Sequence, residues 1–168
     1  MNINVEVRVS NIDESITSDI NLIEIPVFLA QKKSNSLSKD LKEKEILITA
    51  DTVVIYKDKI ITKPKNSLDA KKILEQLSNN THQVITGVCI RSQNKEHTFS
   101  NITEVTFNNL NDNDIDYYIK KFNPYDKAGS YGIQEWIGLI GVKKIKGSYT
   151  NVVGLPSSQV YQELNKFI

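Results

Sequence analysis

The chain has 168 residues, with 21 lysines and arginines against 20 aspartates and glutamates, a formal net charge of +1 and a single cysteine. One domain of this length buries roughly two thirds of the surface that its unfolded chain exposes, so it needs no disulfide or metal staple. The balanced charge excludes a groove that works by neutralising a long polyanion, but leaves room for a pocket that holds one phosphate chain.

Ile3, Val5, Val7 and Val9 alternate with Asn4, Glu6 and Arg8, the pattern of a half-buried strand. Asn11 to Ser15 is a polar turn whose acids, Asp13 and Glu14, suit either a solvated loop and helix cap or phosphate and metal chemistry. Pro26 can open a helix over Val27 to Ser38, with Phe28, Leu29 and Leu37 apolar and Lys32 and Lys33 among them. Ile46 to Tyr56 is rich in β-branched residues and apolar on both faces, as in a strand covered from two sides, and it is followed by a Lys57-Asp58-Lys59 turn. Ser67 is placed to cap a helix whose stripe is Ala70, Ile73, Leu74 and Leu77, ending at Asn79-Asn80.

His82 to Arg91 and Thr98 to Phe107 read as a strand pair joined by a polar hairpin, with Cys89 a core thiol of the first strand. Asn111 or Asp112 opens a helix that turns Ile115, Tyr118, Ile119 and Phe122 inward and carries Lys120 and Lys121 at its end, as the macrodipole favours. Pro124 to Gln134 mixes Asp126, Lys127 and Gln134 with Gly129, Ser130 and Gly132, a loop that no core requirement explains. Ile137 to Ile145 reads as a strand and Gly147 to Pro156 as a turn-rich return. A terminal helix from Ser157 then packs through Val160, Tyr161, Leu164 and Phe167. Strands alternating with helices, without repeats or linkers, indicate one α/β domain over residues 1–168. No apolar run reaches the roughly 18 residues of a membrane span and no leader opens the chain, so a soluble, cytoplasmic protein without membrane or nucleic-acid partners is expected.

Asp51 is the anomaly of the central strand. A carboxylate in an apolar run must be paired, hydrogen-bonded or metal-bound, because burying it bare costs several kcal/mol or forces protonation. It serves either as a structural cap of the next turn or as part of a site. With Thr52 beside it, and with Lys63, Asp126, Lys127 and Gln134 elsewhere in the chain, it has the minimum equipment for attack on a phosphoanhydride. The paired donor and acceptor of Gln134 suit the edge of a base.

These residues resemble the Maf family of nucleoside triphosphate pyrophosphatases. The likeness runs from Asp13-Glu14-Ser15 through Thr49 to Val54, Lys63-Pro64, Leu77-Ser78, His82 to Val88 and Thr103 to Phe107. It continues through Asp126 to Gln134 and closes on Gly147 to Pro156. The resemblance implies a two-lobed α/β fold with a mixed sheet and a central cleft, similar to inosine-triphosphate pyrophosphatase, and a homodimer. It implies hydrolysis of a nucleoside triphosphate between the α and β phosphates with Mg2+ or Mn2+. Asp51 matches the presumed general base, and Glu14, Lys33, Lys63, Asp126, Lys127 and Gln134 match the substrate site, with Asp51 and Glu14 as metal ligands. Thr52 and Gln134 match the branch acting on dTTP and UTP rather than on 7-methyl-GTP.

The family opens with a strand and a Ser-x-Ser-Pro-Arg-Arg loop, and this sequence begins after that element, its only arginines being Arg8 and Arg91. The domain is therefore expected to be shortened at its N-terminus relative to the family. The alternative expectation is a nucleotide-binding or cell-division regulatory protein with impaired turnover.

Overall fold

The computed structural model describes residues 4–16 and 20–167. The elements in chain order are α1 (Ile25–Leu37), β1 (Leu47–Tyr56), β2 (Lys59–Ile61), α2 (Ser67–Leu77), β3 (Thr81–Arg91) and β4 (Glu96–Phe107). They are followed by α3 (Asp112–Phe122), α4 (Trp136–Gly141), β5 (Val142–Lys146), α5 (Tyr149–Val153) and α6 (Ser157–Leu164). Lys57 and Asp58, both left-handed with φ of 49° and 56°, form the tight turn that folds β2 back on β1. The α2 helix starts one residue earlier than Ser67 suggests, because the Asn66 side chain accepts the Asp69 amide at 2.9 Å. Asn111 does the same for α3 through the Asp114 amide, and the left-handed Asn123 closes that helix.

The strands form one sheet in the order β2-β1-β3-β4-β5. All four pairings among the described residues are antiparallel. The α/β class thus holds, while the mixed pairing implied by the resemblance is absent from this part of the sheet. Turns account for two of the four, since β1 to β2 and β3 to β4 are direct hairpins, which can only be antiparallel. The two-sided cover expected of β1 is present. On one face α1 lays Ile25 and Leu29 against Val53, Ile55 and Ile85. On the other, α2 and α3 cover Val54, Val84, Val105 and Phe107, while α6 covers Val88 and Ile90 through Val160 and Leu164. Between these two apolar patches stand Thr52 and Thr86, opposite each other in the β1–β3 register.

Two expected strands are corrected. Residues 4–10 form no strand, and Val5, Val7 and Val9 are 79%, 88% and 78% exposed; Ile3 lies outside the described residues. Alternation marks a strand only where a neighbouring strand takes up its hydrogen bonds, and none does so here among the described residues. Ile137 to Ile145 divides into the helical turn of α4 and the strand β5. Five apolar residues interrupted by two glycines do not distinguish the two periods. Gly138 decides it, because its backbone sits where a Cβ would lie 1.8 Å from the Ile133 carbonyl oxygen, an approach that the compact turn requires.

The loop over Pro124 to Gln134 is tied to the sheet through Tyr131, whose hydroxyl lies 2.7 Å from His82 Nε2. Phe107 meets both rings edge-on at 5.3 Å and 4.9 Å. Burial pulls the His82 imidazole down to about 4, so it is neutral in the folded protein. Its ordinary pKa is 6.5, so the unfolded chain takes up the proton first as pH falls, and stability drops between 6.5 and 4. Urea denaturation is expected to show roughly 2–3 kcal/mol of this loss between pH 7 and pH 4.5. His82→Gln should show an acid loss smaller by about that amount, and an unchanged acid loss would contradict the assignment.

Gly87 is the close contact of α1 with the sheet: a Cβ there would lie 2.2 Å from the Pro26 carbonyl carbon and the Val27 nitrogen. Gly87→Ala must lift α1, with an expected cost of about 3 kcal/mol or more by the same measurement.

Candidate active site

The site is built on an incomplete sheet edge. β2 pairs only with Val54 to Tyr56, so the outer edge of β1 from Leu47 to Val53 has no strand partner among the described residues. A cleft of about 390 Å3 opens against it. Lys33, Asp51, Thr52 and Lys63 line it together with Asp126, Lys127, Gly132 and Gln134. The volume is in the range of small-ligand sites.

Asp51 lies on the α1 face of the strand with its side chain 13% exposed. Lys33, two turns into α1 from its buried Ile25, donates from Nζ to Asp51 Oδ1 at 2.5 Å. The same ammonium lies 3.0 Å from Glu14 Oε1, so one lysine bridges the two acids that the resemblance makes metal ligands. Thr49, next on this face, donates its hydroxyl to the Ala30 carbonyl at 2.7 Å and fixes the helix against the strand. Lys32 instead reaches the Ser15 carbonyl, and of the two adjacent lysines Lys33 lines the cleft. Asp13 is held in a local turn by the Ser15 amide and hydroxyl, so of the two acids only Glu14 reaches Lys33.

Burial pushes the Asp51 carboxyl above the ordinary carboxylate range, and the Lys33 hydrogen bond and charge only partly restrain it. Burial pulls Lys33 down, but the hydrogen bonds and charges of Asp51 and Glu14 outweigh that, and it remains a firm cation. Lys63 contributes its field to both Asp51 and Asp126. In the 124–134 loop, Lys127 Nζ lies 2.8 Å from Asp126 and 3.2 Å from Glu135. Gln134 presents an exposed amide to the same space. The structure thus brings together Glu14, Lys33, Asp51, Thr52, Lys63, Asp126, Lys127 and Gln134 around one opening.

Four contributing residues carry no signal of their own in the sequence. Thr52 Oγ1 meets Thr86 Oγ1 at 2.8 Å, and Thr86 donates to the Asn151 carbonyl. Asn151, fully buried, donates to the Val84 carbonyl and to Thr103 Oγ1, which fastens the Val152 to Gly154 turn over the cleft floor. Glu135 and Tyr118 stand behind Lys127: Tyr118 donates its hydroxyl to Glu135 and accepts the Gly132 amide at 3.0 Å. Arg91, by contrast, clips the end of α1 through Asn35 and Ser38 and has a structural task.

Among the described residues no three His, Cys, Asp or Glu side chains converge on one point. Asp51 and Glu14 are the two carboxylates that a hard cation could share, with its remaining ligands drawn from phosphate oxygens and water. No helix among the described residues is long and apolar enough to cross a membrane.

The Maf-like protein family matches residues 1–167 of this chain. The dTTP/UTP pyrophosphatase of Parabacteroides distasonis is 49% identical over 99% of this chain and 87% of its own length. Those of Flavobacterium johnsoniae and Flavobacterium psychrophilum are 44% and 47% identical, covering 100% and 96% of this chain and 87% and 83% of their own lengths. Matched by the family model over residues 1–167 and 44–49% identical to these relatives, the chain belongs to the Maf-like family.

Proposed function

We propose that this chain is a nucleoside triphosphate pyrophosphatase that hydrolyses dTTP and UTP to the nucleoside monophosphate and pyrophosphate, with Asp51 as general base. The observation that supports it most is the Lys33-bridged Asp51 in a cleft lined by two further lysines. The names of relatives 44–49% identical to this chain supply the substrates. A homodimer in the cytoplasm, implied by the resemblance, belongs to the same reading.

In the reaction a water oxygen attacks the α phosphorus, the bond from that phosphorus to the oxygen bridging to the β phosphate breaks, and pyrophosphate leaves with the bonding electrons. Asp51 takes the water proton, a role suited to a carboxyl raised by burial toward working pH. Lys63 and Lys127 offset the charge of the phosphate chain in a cleft partly shielded from water. Thr52, fixed by Thr86, and Gln134 face the nucleoside end, where the Gln134 amide can pair with the donor and acceptor edge of a pyrimidine.

The site fits a divalent cation because the Lys33 ammonium already stands as a positive charge shared by Asp51 and Glu14. Those two carboxylates would hold Mg2+ or Mn2+, which supplies charge neutralisation on the phosphates. Lys33 would then be freed toward the phosphate oxygens.

Purified protein with dTTP and Mg2+ is expected to give dTMP and pyrophosphate in equal amounts, and chelation of the metal should stop it. Asp51→Asn should lower the rate about 10^2- to 10^4-fold. Orthophosphate as the product, or an unaffected Asp51→Asn variant, would overturn the proposal.

A further inference from the structure

Tyr118 belongs to the apolar stripe of α3, and its ring stacks on Phe122 with centroids 5.1 Å apart. For packing alone a phenylalanine would serve. Its hydroxyl has a separate task, donating to Glu135 and accepting the Gly132 amide from the loop that carries Lys127. Neither Tyr118 nor Glu135 lines the cleft, whereas Lys127 and Gly132 do.

Lys127 has two carboxylate partners of unequal kind. The Asp126 side chain is 75% exposed and the Glu135 side chain 20%. An exposed ion pair holds a lysine weakly, because water and salt compete for both ends. A half-buried carboxylate that is itself pinned by a hydrogen bond holds it in one place. Gly132 is part of the same fit, since a Cβ there would come within 2.9 Å of Glu135 Cδ and 3.1 Å of Lys127 Cε. The glycine therefore lets the acid and the lysine close over the backbone that Tyr118 grips. Burial, helped by the Glu135 hydrogen bond, pushes the phenol well above its ordinary pKa, so it remains a donor across the physiological range.

We propose that Tyr118 is a positioning residue for nucleotide binding: its buried hydroxyl fixes Glu135 and the Gly132 amide, and through them sets Lys127 at the phosphate chain. This deepens the proposed function and rests on its assignment of Lys127 as a phosphate ligand. Tyr118 acts at one remove, so removing its hydroxyl should weaken binding only while Lys127 is present.

The test is calorimetric titration with a nonhydrolysable α,β-imido dTTP in the presence of Mg2+, on the full chain and its Tyr118→Phe, Lys127→Met and double variants. Thermal melts of each variant establish that it is folded at the titration temperature. Tyr118→Phe is expected to raise Kd about tenfold in the otherwise unchanged chain, the scale of one charge-assisted contact, and less than about twofold in the Lys127→Met background. Glu135→Gln, which keeps the shape and a hydrogen-bond acceptor for Tyr118, should show the same dependence on Lys127. A lowered melting temperature with unchanged Kd in Tyr118→Phe would reduce the tyrosine to a structural role and overturn the proposal. So would an equal loss of affinity in both backgrounds. If Lys127→Met alone binds as tightly as the unchanged chain, the phosphate-ligand assignment fails, and the positioning role falls with it.

Discussion

The contact between Lys33 and Asp51 is the constraint around which the cleft is arranged. An acid on the α1 face of β1, with its side chain only 13% exposed, cannot be kept ionised by solvent, and its ammonium partner must arrive from α1 at the right height. That height is set by backbone fit. Gly87, in register with Asp51, lets α1 touch the sheet at Pro26 and Val27, and the Thr49 hydroxyl pins the helix again at Ala30. Seven residues beyond Pro26, Lys33 arrives over Asp51. A loss anywhere along this line therefore becomes an error of position at the acid.

Cations and acids of the cleft already pair with one another. Lys33 is held by Asp51 and Glu14, and Lys127 by Asp126 and Glu135. Such pairing keeps the lysines charged and directed, at the expense of competition with phosphate oxygens for the same ammonium groups. The exposed member of each pair, Glu14 or Asp126, is the partner that water can most readily replace. At Lys127 the buried member, Glu135, stays to fix direction. The cleft is thus a set of preset charges, set against a stretch of sheet edge that has no strand partner among the described residues.

Much of this was legible in the sequence, for physical reasons that can be named. The strand at Ile46 to Tyr56 declared itself by β-branched residues on both faces, and Asp51 declared itself by violating that pattern. The α2 stripe of Ala70, Ile73, Leu74 and Leu77 is buried as its spacing required. Lys63, Lys127 and Gln134 stood out as polar residues that folding did not explain, Lys33 came from the family resemblance, and all four line one cleft. Glu135 and Tyr118 were hidden because an acid beside a tryptophan and an aromatic in a helix stripe look like ordinary surface and core. Their pairing spans 17 residues and exists only once the loop is folded. Asn151 and Thr86 were hidden likewise, 65 residues apart and joined only in the fold. The alternation at Val5, Val7 and Val9 misled in the opposite direction, since periodicity records what a segment could pair with and not whether a partner is beside it.

The claim on which the account depends most is that burial raises the Asp51 carboxyl while the Lys33 charge holds it back. Carbon-detected NMR titration of the Asp51 side-chain carboxyl in metal-free protein reads this directly. The account predicts a pKa above the ordinary 3.8, and a further rise in Lys33→Met, where the restraining charge is gone and burial remains. An Asp51 that titrates at or below 3.8, or that does not respond to loss of Lys33, would contradict it.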